Sequence, residues 1–148
     1  MMIRVATIGF TAKSAERFFM LLRNASVKTL LDVRLNNSSQ LAGFAKKDDL
    51  RFFVSELVGA QYQELGELAP EASMLKRYRE KELDWTTYAS AYCELLARRR
   101  VESNLDEALF DRACLLCSEH LPHHCHRRLA VEYLNEAWGQ RMEVVHLV

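Results

Sequence analysis

The chain concentrates its chemistry in twelve residues, Cys117-Ser118-Glu119-His120-Leu121-Pro122-His123-His124-Cys125-His126-Arg127-Arg128, which hold two thiols, four imidazoles, one carboxylate and two guanidiniums. A cysteine at a helix N-terminus beside histidine and arginine has its thiolate favoured by the helix dipole and the neighbouring cations. Cys125 is therefore a candidate nucleophile, with His126 for acid–base work and Glu119 as orienter or proton acceptor. The same residues admit a plainer role, in which Cys125 is a small buried apolar side chain and His126 a hydrogen-bonded core histidine. Two further alternatives stay open: a disulfide between Cys117 and Cys125, and a zinc site using both thiols with one or more of His123, His124 and His126. The spacing matches no common finger or ribbon, so no metal ligand is assigned and the cofactor is left unspecified.

Two familiar chemistries are excluded by spacing. Cys114 and Cys117 sit three apart like a redox pair, but on a strand such residues point to opposite faces and cannot bridge locally. A phosphatase-type loop needs arginine six positions after its cysteine, whereas Val131 follows Cys125 and His123 follows Cys117 at that distance.

The elements that must position these residues alternate. Ile3 to Phe10 is a β-rich run ended by Gly9, Ser14 opens a stretch of helical apolar spacing, and Thr29-Leu30-Leu31-Asp32-Val33 returns as a strand, so residues 3–34 read as a βαβ unit with neighbouring parallel strands. Residues 36–40 are a loop. Helices are expected over 50–58, stopped by Gly59, over 70–81, and after the N-cap Asp84, where Trp85, Tyr88, Ala89, Tyr92, Leu95 and Leu96 form a core-facing stripe. Arg98-Arg99-Arg100 suits the negative end of that helix. A short strand over 62–65, a third apolar strand over 113–117, a helix over 122–138 and a last strand over 144–148 complete an α/β domain. Its expected architecture is a three-layer sandwich, a mainly parallel sheet with helices on both faces.

In open parallel sheets ligands bind beyond the carboxyl ends of the strands. Three strands deliver polar or flexible residues there: Gly9, Asp32 with Arg34, and Cys117 with Glu119. Gly9 suits either a tight turn or a close backbone approach by a ligand. Asp32 and Arg34 share one strand face, so they either pair with each other or leave Arg34 to hold an anion. Gly9, Arg34, Cys117 and Arg127 are thus the candidate ligand-binding residues, and a small anionic ligand the expected partner. A non-catalytic interaction module, with the cluster as a structural knot, is the rival from another class.

At 148 residues with 49% hydrophobic and 27% charged side chains, the sequence describes one domain, residues 1–148. Twenty basic residues against twenty acidic give zero formal charge, which lends no support to a nucleic-acid partner. No apolar run approaches the ~18 residues of a membrane span and no signal-peptide core is evident, so no membrane partner and a cytoplasmic location are expected, with the four cysteines as free thiols. Oligomeric state is not legible.

The run Leu115-Leu116-Cys117-Ser118-Glu119, then Pro122, then Cys125-His126-Arg127-Arg128-Leu129 resembles the signature of the domain-of-unknown-function 488 family. Thr7-Ile8-Gly9-Phe10, Leu31-Asp32-Val33-Arg34, Leu41-Ala42-Gly43-Phe44 and Glu67-Leu68-Ala69-Pro70 are similar to further family blocks in family order, so the resemblance covers nearly the whole chain. It implies an α/β domain whose blocks meet in one pocket, with Arg34, Cys117, Glu119, Cys125, His126 and Arg127 as matching positions, and it supplies no reaction. Leu35-Asn36-Asn37 stands where many relatives have proline soon after the Asp-Val-Arg block.

Overall fold

A computed structural model describes residues 2–37 and 43–148. The expected loop at 38–40, and Leu41 and Ala42 of the third family block, lie outside the described residues.

Strand β1 (Ile3–Gly9) leads through α1 (Ala15–Asn24) to β2 (Thr29–Asp32), and α2 (Lys47–Phe53), prolonged by a π-helical turn at Val54–Val58, leads to β3 (Gln61–Glu64). Three helices follow, α3 (Ala72–Arg79), α4 (Trp85–Arg99) and the single turn α5 (Val101–Asn104), before β4 (Ala113–Cys117), α6 (His126–Ala137) and β5 (Met142–Leu147). The caps explain several boundaries. The Ser14 hydroxyl accepts from the Arg17 amide and the Asp84 carboxylate from the Thr87 amide, each satisfying one of the amides a helix start leaves unpaired. Gly59, in the left-handed region at φ 74°, ends the π turn where a side chain would be strained.

The five strands form one parallel sheet in the order β3-β2-β4-β1-β5. The fold is an α/β sandwich, as the alternation of elements implies. The expected pairing of β1 with β2 is not found, because β4 lies between them and hydrogen-bonds to both. Hydrophobic patterning shows that both are interior parallel strands; it carries no information on which strand sits between them.

Side chains alternate across the sheet. Leu31, Val33, Leu115 and Cys117 pack with α3, α4 and α6 on one face, while Leu30, Cys114 and Leu116 pack with Phe18, Phe19, Leu22 and Leu50 on the other. The stripe of α4 is core, as its spacing implies: Tyr88, Tyr92, Leu95 and Leu96 are buried. Arg99 donates to the carbonyls of Glu67 (2.8 Å) and Ala69 (2.6 Å), and the Tyr92 hydroxyl to that of Leu68 (2.6 Å), so the Glu67–Pro70 block is pinned to α4.

This topology places a crevice. The chain leaves β1 and β2 toward the face covered by α1 and α2, but leaves β4 toward the opposite face, covered by α6. Connections that diverge to opposite faces leave a gap beyond the strand ends on either side of β4.

Candidate functional site

Beyond the ends of β2 and β4 is a cavity of about 260 Å³ whose walls include Arg34, Asn36, Tyr78, Arg79, Tyr88, Cys117, Glu119, His124, Cys125 and His126. Cys117 ends β4 and Cys125 is the N-cap of α6, so the loop between them runs out and folds back on itself. The expected helix start at Pro122 is therefore wrong by four residues: α6 begins at His126, and residues 121–125 are used to return the chain to the sheet edge. No side chain caps α6, which leaves its first amides and the positive end of its dipole at the cavity floor.

The four cysteines are not all free thiols. Cys117 and Cys125 are joined as a disulfide, and only Cys93 and Cys114 are free. The β4–α6 loop brings the two sulfurs together, and in this form neither is a free thiol. Cys114 lies on the opposite face in an apolar core that pushes its thiol well up from the usual range.

Three site residues lie at the cavity floor, almost wholly buried: Cys117 at 1% exposure, Cys125 at 2% and His126 at 9%. The His126 Nε2 lies 2.7 Å from the Val33 carbonyl oxygen. A carbonyl can only accept, so Nε2 carries the proton and Nδ1 keeps its lone pair. Burial, against the pull of that carbonyl, pushes the imidazole down to about 4, so His126 is neutral at pH 7. Glu119 is exposed at the rim.

Arg34 is committed. Its Nε and Nη2 donate to the two oxygens of Asp32 at 2.9 and 2.8 Å, its Nη1 donates to the Ala45 carbonyl at 2.7 Å, and the pair is almost fully buried. Tyr62 also donates to Asp32. Of the two alternatives for this strand face the structure has the internal pair, and Arg34 reaches the cavity as a neutralised wall.

Arg127 is fully buried and lies behind the sulfurs. Its Nη1 donates to the Glu119 carbonyl and lies 3.2 Å from Cys117 Sγ and 3.8 Å from Cys125 Sγ; Nη2 donates to the His120 carbonyl and Nε to the Thr7 hydroxyl. The Thr7 hydroxyl in turn faces His146 Nδ1 at 2.6 Å. Among the described residues no carboxylate pairs with Arg127, and burial lowers its guanidinium to about 10. Gly9 serves the same loop: a Cβ there would stand 1.5 Å from the Glu119 carbonyl oxygen and 2.8 Å from Arg127 Nη1. Its missing side chain admits the β4–α6 loop, and neither Gly9 nor Arg127 lines the cavity.

The structure adds groups that the spacing of the late cluster does not point to. Tyr78 stacks on Tyr88 at 4.7 Å and Trp85 on His124 at 4.8 Å, giving the cavity an aromatic rim. Arg79, the last residue of α3, is exposed on the cavity wall and makes no hydrogen bond or ion pair among the described residues. In the sequence it is one of three cations in a short helix, indistinguishable from a solvated face.

Sheet and crevice together define an α/β protein with a cavity, its candidate site, at the point where its connections reverse. The chain belongs to the family described as Domain of unknown function DUF488, whose model matches residues 14–134. Comparison with curated proteins and with solved structures gives no match. No helix among the described residues is long and apolar enough to cross a membrane.

Proposed function

We propose that the cavity takes a small anionic ligand, a nucleotide, a nucleic-acid end or a phosphorylated metabolite, and that the Cys125, His126 and Glu119 cluster is where that ligand is acted on. The observation that carries this reading is the charge around the cavity: among the described residues, Arg79 on its wall has no partner and Arg127 buried behind it has no carboxylate, and the uncapped start of α6 lies at its floor. Arg34 contributes shape and hydrogen-bonding rigidity, since Asp32 already cancels its charge. Reduction of the Cys117–Cys125 bond by an external thiol, which ends as the disulfide and gives up two electrons and two protons, frees both sulfurs for chemistry.

The test is thermal unfolding of reduced and oxidised protein with inorganic phosphate, nucleoside monophosphates and phosphorylated sugars, wild type beside Arg79→Ala. A ligand at about 100 times its Kd adds about 2.7 kcal/mol. We expect one anion class to raise the wild-type Tm and to lose that effect in Arg79→Ala, a surface change that leaves the fold intact. No shift with any anion, or equal shifts in both proteins, removes the reading.

A second reading has its own observation: Arg127 alone ties β1, the loop carbonyls and both sulfurs. This is the structural knot of a non-catalytic module, and it is favoured if anions have no effect while Arg127→Ala unfolds the chain.

A further inference from the structure

We infer that in the dithiol form of the chain Cys117, Cys125 and His126 bind one soft divalent cation of the zinc type, with the fourth coordination position open to the cavity. One ligand atom from each of the three residues lies within 4.8 Å of the others, and all three residues are buried. They are held by rigid elements: the last residue of β4, the N-cap of α6 and the first residue of α6.

Three features fit an ion here. The His126 Nε2–H donates to the Val33 carbonyl, the outer contact that orients a metal-binding imidazole, and leaves Nδ1 as the ligand atom. The Cα atoms of Cys117 and Cys125 stand 7.6 Å apart, wider than the roughly 4.4–6.8 Å that direct bridges favour. Two sulfurs on one zinc lie roughly 3.8 Å apart, given bonds of about 2.3 Å at a tetrahedral angle, so an ion suits the wider span. The donor set, two sulfurs and an imidazole, selects zinc-like ions over magnesium or calcium, which take oxygen.

Charge bears on what completes the coordination. Arg127 is a buried cation beside both sulfurs with no carboxylate of its own among the described residues, and thiolates supply the negative charge that the disulfide lacks. Two thiolates cancel a divalent ion, which leaves the Arg127 charge to be balanced by whatever completes the coordination. Three protein ligands and one open position is the pattern of catalytic rather than structural zinc, and an anion is the ligand that balances the site. The inference deepens the anion reading without depending on it, since the three side chains bind an ion whether or not an anion joins it.

The experiment uses the whole chain, stripped of metal, reduced with a phosphine and titrated with zinc alone against a chromophoric chelator. One equivalent is expected to move to the protein, and oxidation of the same sample to the disulfide is expected to abolish this. Cobalt in place of zinc should give a thiolate-to-cobalt charge-transfer band with tetrahedral d–d absorption. Cys114→Ala should behave as wild type, and Cys117→Ser should lose the band. Because Cys117→Ser can fail to fold, the comparison of oxidised and reduced wild type stands by itself. A reduced, folded protein with titratable thiols that leaves zinc with the chelator overturns the inference, as does equal binding by the oxidised form. Arg79→Ala should keep one zinc per chain while losing the anion response, so failure of the anion reading and failure of the metal site give different results.

Discussion

Two arginines are buried within a few residues of one cavity, and they have been treated differently. Arg34 meets Asp32 in a two-pronged ion pair and caps the Ala45 carbonyl, so its charge is spent inside the protein. Arg127 is satisfied in hydrogen bonds, by carbonyls, a hydroxyl and sulfur, but among the described residues no carboxylate answers its charge. A buried charge without a counter-charge is costly. The fold retains this one beside two sulfurs at the N-terminus of α6, where negative charge is stabilised from two directions. The Arg34 side of the crevice is thus a finished wall, whereas on the Arg127 side a buried cation stands beside two sulfurs with no carboxylate among the described residues.

Abolishing the difference should have the largest effect. Asp32→Asn makes Arg34 a second unbalanced cation, and we expect a loss of about 3–5 kcal/mol of stability, measured as a lower urea midpoint. Adding charge on the Arg127 side comes next. His126 is held at about 4, below the ~6.5 of an unfolded histidine, by burial and by Arg127 among other cations. Between those values the unfolded chain binds the proton first, so stability must fall as pH drops from about 6.5 toward 4 and is restored as pH rises. The fall should approach about 3 kcal/mol, and this part of the slope should be missing in His126→Gln. The smallest expected effect tests Arg127 directly. In reduced protein, Arg127→Gln should slow alkylation of Cys117 and Cys125 at mildly acid pH by about tenfold, one pKa unit. Mass spectrometry of the two peptides reads it, and an unchanged rate would mean that the guanidinium does not support the thiolates.

Much of this was legible in the sequence where local rules govern. Short apolar runs mark β1 and β2, period-3.6 apolar spacing marks α1 and α4, the Asp84 cap marks the start of α4, and the strand-end rule points to Arg34 and Cys117 as neighbours of one crevice. Non-local facts were not legible. Strand order depends on which strand fills the gap between β1 and β2, and the start of α6 depends on a loop that must return Cys125 to Cys117. Gly9 suggests a ligand or a turn in the sequence because its actual neighbour, the Glu119 carbonyl, is 110 residues away. Arg127 has a similar origin: the residue type signals an anion, but only packing shows that it stands behind the sulfurs instead of in the cavity.

The position of β4 bears on how the molecule comes to exist. The strand that joins β1 to β2 begins at residue 113, whereas β2 ends at residue 32. A ribosome must therefore release most of the polypeptide while those two strands have bare, unmatched edges, the condition under which nascent chains aggregate. The late insertion that closes the sheet also delivers Cys117, so a molecule interrupted before that event has neither a continuous sheet nor the sulfurs of the cavity floor.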